Sequence, residues 1–245
     1  MLHDKDIREP LFEYLEGAYG KSRFIEEKTM GRSRADIVMV LPSEVIGIEI
    51  KSDADTYARL ASQIKDYDRY YDRNIVVAGS SHAMHVEEHV PDHWGIITAE
   101  MEDGVFDFYM LRRPQPNPKC RLGKKLEILW RPELAMLQEQ NGMPKYKAES
   151  KDFVIKKICK WADSGKLEAA ALQKQISDIL FERDYNTVDL MLKEYRKGEM
   201  QKQIENERDP VKRQELIDRR DRMREKGFGK RRRRRRKRSL LSELS

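Results

Sequence analysis

Apolar residues along the first third of the chain change period twice, and each change marks an element. From Asp4 to Tyr19 the positions Ile7, Leu11, Tyr14, Leu15 and Ala18 recur at helical spacing, and Gly20 follows as a helix stop. Three extended segments come next, Arg23 to Lys28, Arg34 to Leu41 and Val45 to Lys51. Turn residues separate them at Gly31 to Ser33 and at Pro42 to Glu44. A second helix is predicted from about Ala54 to Tyr71, where Tyr57, Leu60, Ala61, Ile64, Tyr67 and Tyr71 form a stripe and Asp53 stands ready to cap. Strands are then expected at Asn74 to Ala78, Trp94 to Ala99 and Val105 to Leu111.

Past Pro114 to Pro118 the pattern weakens. Lys125 to Trp130 reads as a faint strand, and apolar positions return at helical spacing in Phe153 to Trp161, Leu167 to Phe181 and Val188 to Tyr195. The expected fold class is α/β, with a core in the order helix, three strands, helix, strand, over residues 1–112. A linker with a peripheral strand or helix follows over 113–148, then a small helical region over 149–195. Residues 196–245 read as a charged helix and a disordered tail.

Charge sharpens that division. Asp221 to Ser245 holds twelve Lys or Arg and three Asp or Glu, a net of +9 against +6 for all 245 residues, which leaves −3 for residues 1–220. The pI near 9.1 therefore describes the tail. The nine successive cations Lys230, Arg231, Arg232, Arg233, Arg234, Arg235, Arg236, Lys237 and Arg238 would repel one another without a polyanion. Nucleic acid is their simplest partner, with salt-sensitive and sequence-independent affinity; a solvated or protein-binding tail is the plainer reading. The two cysteines, Cys120 and Cys159, show no paired spacing, and no apolar run approaches a membrane span, so a reducing cytoplasm and no membrane partner are expected.

The chemistry gathers at the third strand. Alternation puts Gly47, Glu49 and Lys51 on one face and Ile46, Ile48 and Ile50 on the other, and hairpin-like pairing would bring Asp36 beside Glu49. Two carboxylates and the Ile50 carbonyl suit Mg²⁺ or Mn²⁺, while Lys51 could orient water or stabilise charge on a phosphate. As a lone Glu-x-Lys, the pair would more simply be solvated edge charges. Its place at the end of an apolar strand, with an acid on the neighbouring strand, favours phosphodiester hydrolysis.

With Arg34-Ala35-Asp36-Ile37, Gly47 to Asp53 and Pro91 to Gly95 in view, the chain resembles the PD-(D/E)XK nuclease superfamily, closest to a bacterial and phage branch near MmcB-like DNA-repair proteins. The resemblance covers about the first hundred residues. Gln63 and Tyr67, at i and i+4 on one helix face, look like the Gln-x-x-x-Tyr motif of RecB-like nucleases, which implies a positioning role; Tyr67 also suits the apolar stripe. A third acid is often present in the superfamily, and Glu27 is the candidate, with Glu26 and Glu13 as rivals. Arg34 could bind phosphate or pair with a carboxylate. His82, His85, His89 and His93 lack the pattern of a zinc site and read as a polar helix and loop, with His82 matching a position near the cleft.

The resulting expectation is a Mg²⁺- or Mn²⁺-dependent nuclease acting on DNA. Its alternative is a nucleic-acid-binding or regulatory protein that kept the fold without catalysis. No Gly-rich nucleotide-binding motif is present, so an ATPase would be a separate protein partner.

Overall fold

The computed structural model describes residues 4–53, 55–183, 198 and 200–221. Six strands form one mixed sheet in sequence order: β1 (Arg23–Met30), β2 (Ser33–Val40), β3 (Val45–Lys51), β4 (Arg73–Gly79), β5 (Gly95–Glu102) and β6 (Val105–Arg112). The first three pair antiparallel as a meander, β3–β4 and β4–β5 are parallel, and β6 returns antiparallel. Parallel neighbours need a crossover, and the helix between β3 and β4 supplies the first one. The strand β3 is buried along its whole length, as expected of a strand covered on both faces.

One face is covered by helix α1 (Asp4–Tyr19), whose Ile7, Leu11 and Leu15 are fully buried against Ile37, Met39, Ile46, Ile48, Ile75 and Val77. Burying each such aliphatic side chain stabilises by about 1.5–3 kcal/mol. The other face receives α2 (Leu60–Tyr70) together with a helical layer that follows the sheet in sequence. This layer is α5 (Leu122–Leu126), α6 (Arg131–Gln140), α7 (Lys151–Asp163) and α8 (Ala169–Phe181). Val154, Ile158, Ile176 and Leu180 share one cluster with Val38, Val76 and Leu60. Two single-turn helices, α3 (Ser80–Ala83) and α4 (Val86–His89), join β4 to β5.

Three expectations change. Residues 1–183 form one compact unit, so the helical region is the second cover of the sheet rather than a separate body. Lys125 to Trp130 is not a strand: it holds the end of α5 and a tight turn, because Lys125 turns inward to pair with Asp72 at 2.6 Å while Leu126, Ile128 and Leu129 enter the core. Finally, α2 begins at Leu60, after a 3₁₀ turn at Tyr57–Arg59. Asp53 caps no helix there. Its carboxylate accepts from the Ser81 amide and hydroxyl at 3.1 and 2.8 Å, beneath Gly79, where a Cβ would stand 2.6 Å from it.

The second unit starts at Asp184. Its described part is helical over 200–206 and 210–221, with Arg220 donating to Gln201 at 3.3 Å and Arg213 to the Ile204 carbonyl at 3.0 Å. Val188 to Tyr195 and the cationic run Lys230 to Arg238 lie outside the described residues.

Candidate active site

Strand β2 runs beside β3 with Ile37 opposite Ile48 as the last ladder pair, so the next step along the register sets Asp36 across from Glu49. Beyond that point a side chain replaces the backbone ladder: Asp36 Oδ2 accepts from the Ile50 amide at 2.8 Å. Glu49 and Lys51, two residues apart, leave β3 on the same face. Lys51 Nζ donates to Glu49 Oε1 at 2.8 Å, and both side chains are almost wholly covered, at 4% and 2% exposure. Such a pair costs much desolvation, and it persists only if the remaining lone pairs are satisfied.

Helix α2 satisfies them. Gln63 Nε2 donates to Glu49 Oε1 at 2.5 Å, and Gln63 Oε1 accepts from Lys51 Nζ at 3.1 Å, so the amide bridges acid and base. One turn later the Tyr67 hydroxyl lies 2.7 Å from Glu49 Oε2 and 3.1 Å from the Ile48 carbonyl, two acceptors for its single proton. It also accepts from the Asp36 amide at 3.3 Å. The phenol is pushed well above its ordinary value by burial, then by the charges of Glu49 and Asp36, so it holds its proton and remains a donor. Gly47 makes this approach possible. A Cβ there would meet the Tyr71 ring at 2.2 Å and the Tyr67 ring at 2.7 Å, forcing the phenol away from Glu49.

Asp36, Glu49, Lys51, Gln63 and Tyr67 are therefore brought together as their spacing suggests. Glu27 is not part of that network. It sits exposed on β1 at φ 51°, a left-handed conformation rare for a residue with a side chain, and pairs with Arg34 at 3.2 Å and Arg8 at 3.8 Å. Arg34 thus takes the ion-pair role. Glu26 is held by Arg8 at 2.9 Å, and Glu13 is exposed. The histidines disperse: His82 contacts the Asp55 carbonyl and the Tyr57 ring, His89 stacks on Tyr57 at 4.0 Å, and His85 neighbours Glu88. His93 reaches Asp68 at 3.0 Å.

Among the described residues no group of three or more His, Cys, Asp or Glu could hold a metal ion. The donor set still fits a hard cation of the magnesium type, which is commonly held by one or two carboxylates and keeps several waters. Asp36, Glu49 and the Ile50 carbonyl would be its protein ligands. Both Glu49 oxygens already accept from Lys51, Gln63 and Tyr67, so a cation would share that carboxylate with them.

Sequence reasoning missed Asp68, one residue past Tyr67. This carboxylate is 3% exposed and accepts from the Trp94 indole at 2.8 Å, from Asn74 at 3.2 Å and from Lys119 at 3.1 Å, beside His93. It pins α2 to β4 and to the turn before β5. The only local signal was a charged residue inside an apolar stripe.

A family model described as bacteriophage P4 protein cII matches residues 2–205, and the chain belongs to that family. The match takes in every residue of the site and ends before the cationic run. No curated protein matches. Among solved structures, SfsA of Pyrococcus furiosus in complex with Ca²⁺ is similar over 43% of this chain and 59% of that one, at 14% identity and a TM-score of 0.29. The chain thus spans about three fifths of that relative, a likeness too slight to bear on function.

Proposed function

We propose that this member of the bacteriophage P4 protein cII family is a Mg²⁺- or Mn²⁺-dependent nuclease of the PD-(D/E)XK type, hydrolysing phosphodiester bonds in DNA. The observation that carries the reading is the continuous hydrogen-bond network Asp36–Tyr67–Glu49–Lys51–Gln63 at the end of a buried strand. A fold that needed only stability could fill this place with apolar residues at no loss, since buried ion pairs are seldom net stabilising.

Within the proposal each side chain has one task. Asp36 and Glu49 supply anionic oxygens, and the bound ion would neutralise a phosphate oxygen and acidify a water. Lys51 Nζ exchanges Glu49 for a phosphate oxygen as charge builds there. Gln63 holds Lys51 on the side of the phosphate during that exchange, and Tyr67 keeps its proton and fixes the Glu49 carboxylate through Oε2. The cationic run Lys230 to Arg238 serves as an electrostatic arm for the same polyanion. A cytoplasmic location and a role in DNA repair or in a phage belong to this reading.

One observation favours a second reading, a nucleic-acid-binding protein without catalysis: Glu49 and Lys51 neutralise each other under almost complete cover. A single assay separates the two. The purified full chain is incubated with circular and linear DNA and with RNA, in Mg²⁺, Mn²⁺ or EDTA. The nuclease reading predicts metal-dependent cleavage of DNA abolished by EDTA, whereas binding without cleavage in every condition supports the second.

A further inference from the structure

We propose that Lys28, Lys151 and Arg183 form a second anion site, which grips a backbone phosphate of nucleic acid beside the Asp36–Glu49–Lys51 centre; the choice of ligand rests on the nucleic-acid reading above. Two of the three cations meet at one indole. Lys28 Nζ lies 5.8 Å from the centroid of the Trp130 ring, and the Arg183 guanidinium carbon lies 4.0 Å from it. Lys151, the first residue of α7, donates to the Glu127 carbonyl at 2.6 Å. Glu127 is the nearest opposing charge for Lys151, but its carboxylate is shared with Lys124 and Tyr70 at 2.7 Å each.

Glu133 is the second carboxylate at the cluster, and Arg183 takes it through two bonds of 2.6 Å. Three positive charges face two carboxylates, one of them shared with Lys124. Two further observations show that the excess lacks a partner. The Arg183 side chain is fully buried, yet its Nη1 has no hydrogen-bond partner, a costly omission for a charged group. No hydrogen bond or ion pair reaches Lys28 among the described residues, although it is half-buried, and burial, then Arg183 and Lys151, hold its amine down at about 8 against the pull of Glu133. Native folds rarely leave a covered lysine and a buried guanidinium nitrogen without acceptors side by side. A phosphate held by Lys28 and Lys151 supplies the missing charge, with the buried Arg183 adding its field from beneath.

Placement gives the site its use. Lys28 is the register partner of Ala35, the residue before Asp36, so its backbone lies on the strand flanking the candidate centre. Lys28 and Lys151 are half-buried, which leaves them accessible, while Arg183 lies beneath as a floor. A strand with its scissile phosphate at Lys51 would present a flanking phosphate to this cluster, which fixes position and carries no sequence information. The charge state adds a signature. Lys28 is protonated below about 8, so affinity is greatest there and is lost as pH rises past 8, a range in which an ordinary lysine with a pKa of 10.5 stays charged.

The test uses the full chain in EDTA, a fluorescein-labelled single-stranded DNA and fluorescence anisotropy. The double variant Lys28→Ala/Lys151→Ala should bind about tenfold more weakly at low salt, and the slope of log affinity against log salt should shrink by about 1.4, two contacts at roughly 0.7 each. Wild-type affinity should fall between pH 7 and 9, and Lys28→Arg should hold its affinity across that range. Thermal melts by circular dichroism must show both variants folded; if the double variant does not fold, Lys28→Arg alone decides through its pH profile. Unchanged affinity and salt slope in a folded double variant overturn the site. Inorganic phosphate that raises the wild-type melting temperature through Lys28, with DNA binding unaffected, overturns the backbone assignment. Cleavage is scored separately: Lys28-dependent binding without any metal-dependent cleavage keeps this site and removes the nuclease, and cleavage with Lys28-independent binding does the reverse.

Discussion

Two buried carboxylates depend on helix α2, and they are solvated by the protein in opposite ways. Asp68 is surrounded by the Trp94 indole, Asn74, His93 and Lys119, groups drawn from β4, the turn before β5 and the loop after β6. Glu49 accepts from Lys51, Gln63 and Tyr67, and next to it stands Asp36, half-buried. Three of the four groups at Asp68 are rings or a short amide, which hold it in one place, and Lys119 alone is long and flexible. Two of the three donors at Glu49 end long, flexible side chains, which can exchange one acceptor for another at little cost. The first arrangement ties elements together, and the second suits a group that must change partners during a reaction. A buried acid reveals its task by what its donors can do next.

The contrast can be broken by mutation, and the expected losses of stability descend in order. Asp68→Ala should cost on the order of 3–5 kcal/mol in urea unfolding, since it strands the Trp94 and Asn74 donors and uncouples α2 from the sheet; a loss below 1 kcal/mol would show that Asp68 is no pin. Tyr67→Phe should cost about 1.5–3 kcal/mol, the value of a hydrogen bond to a charged acceptor, and should also slow cleavage, because Glu49 loses the donor that fixes Oε2. Full activity in this variant would confine Tyr67 to packing. Asp36→Asn should change stability by less than about 1 kcal/mol, since its amide oxygen can still accept from Ile50, yet it should weaken both Mn²⁺ binding and cleavage. Unchanged Mn²⁺ affinity by calorimetry would remove Asp36 from the ligands.

The same contrast explains what could be read from the chain. Alternation at Val45 to Lys51 specified a strand and the side that Glu49 and Lys51 share, and that strand appears with those bounds. The four-residue spacing of Gln63 and Tyr67 placed both above Glu49 because a helix face is a local property. Asp68, Lys28 and Arg183 carry no such signal. Their partners lie 25 or more residues away in Trp94, His93, Trp130 and Lys151, and only the packing of the helical layer on the sheet joins them. Lys125 misled for a related reason: a lysine in an apolar run looked like an alternating strand, when it was a buried ion-pair partner of Asp72. Glu27, the candidate third acid, stands outside the Glu49 network at a backbone turn of φ 51°, which no alternation rule anticipates.

The central claim is that Lys51 acts on the phosphate and is not merely the counter-ion of Glu49. Single-turnover cleavage of DNA by Lys51→Ala, run beside Mn²⁺ calorimetry on the same preparation, tests it most directly. The account predicts a fall in rate of at least about 10²–10³-fold, comparable to losing one transition-state charge contact, with metal binding retained because Asp36 and Glu49 remain. Wild-type turnover in a folded, metal-binding Lys51→Ala protein would contradict it.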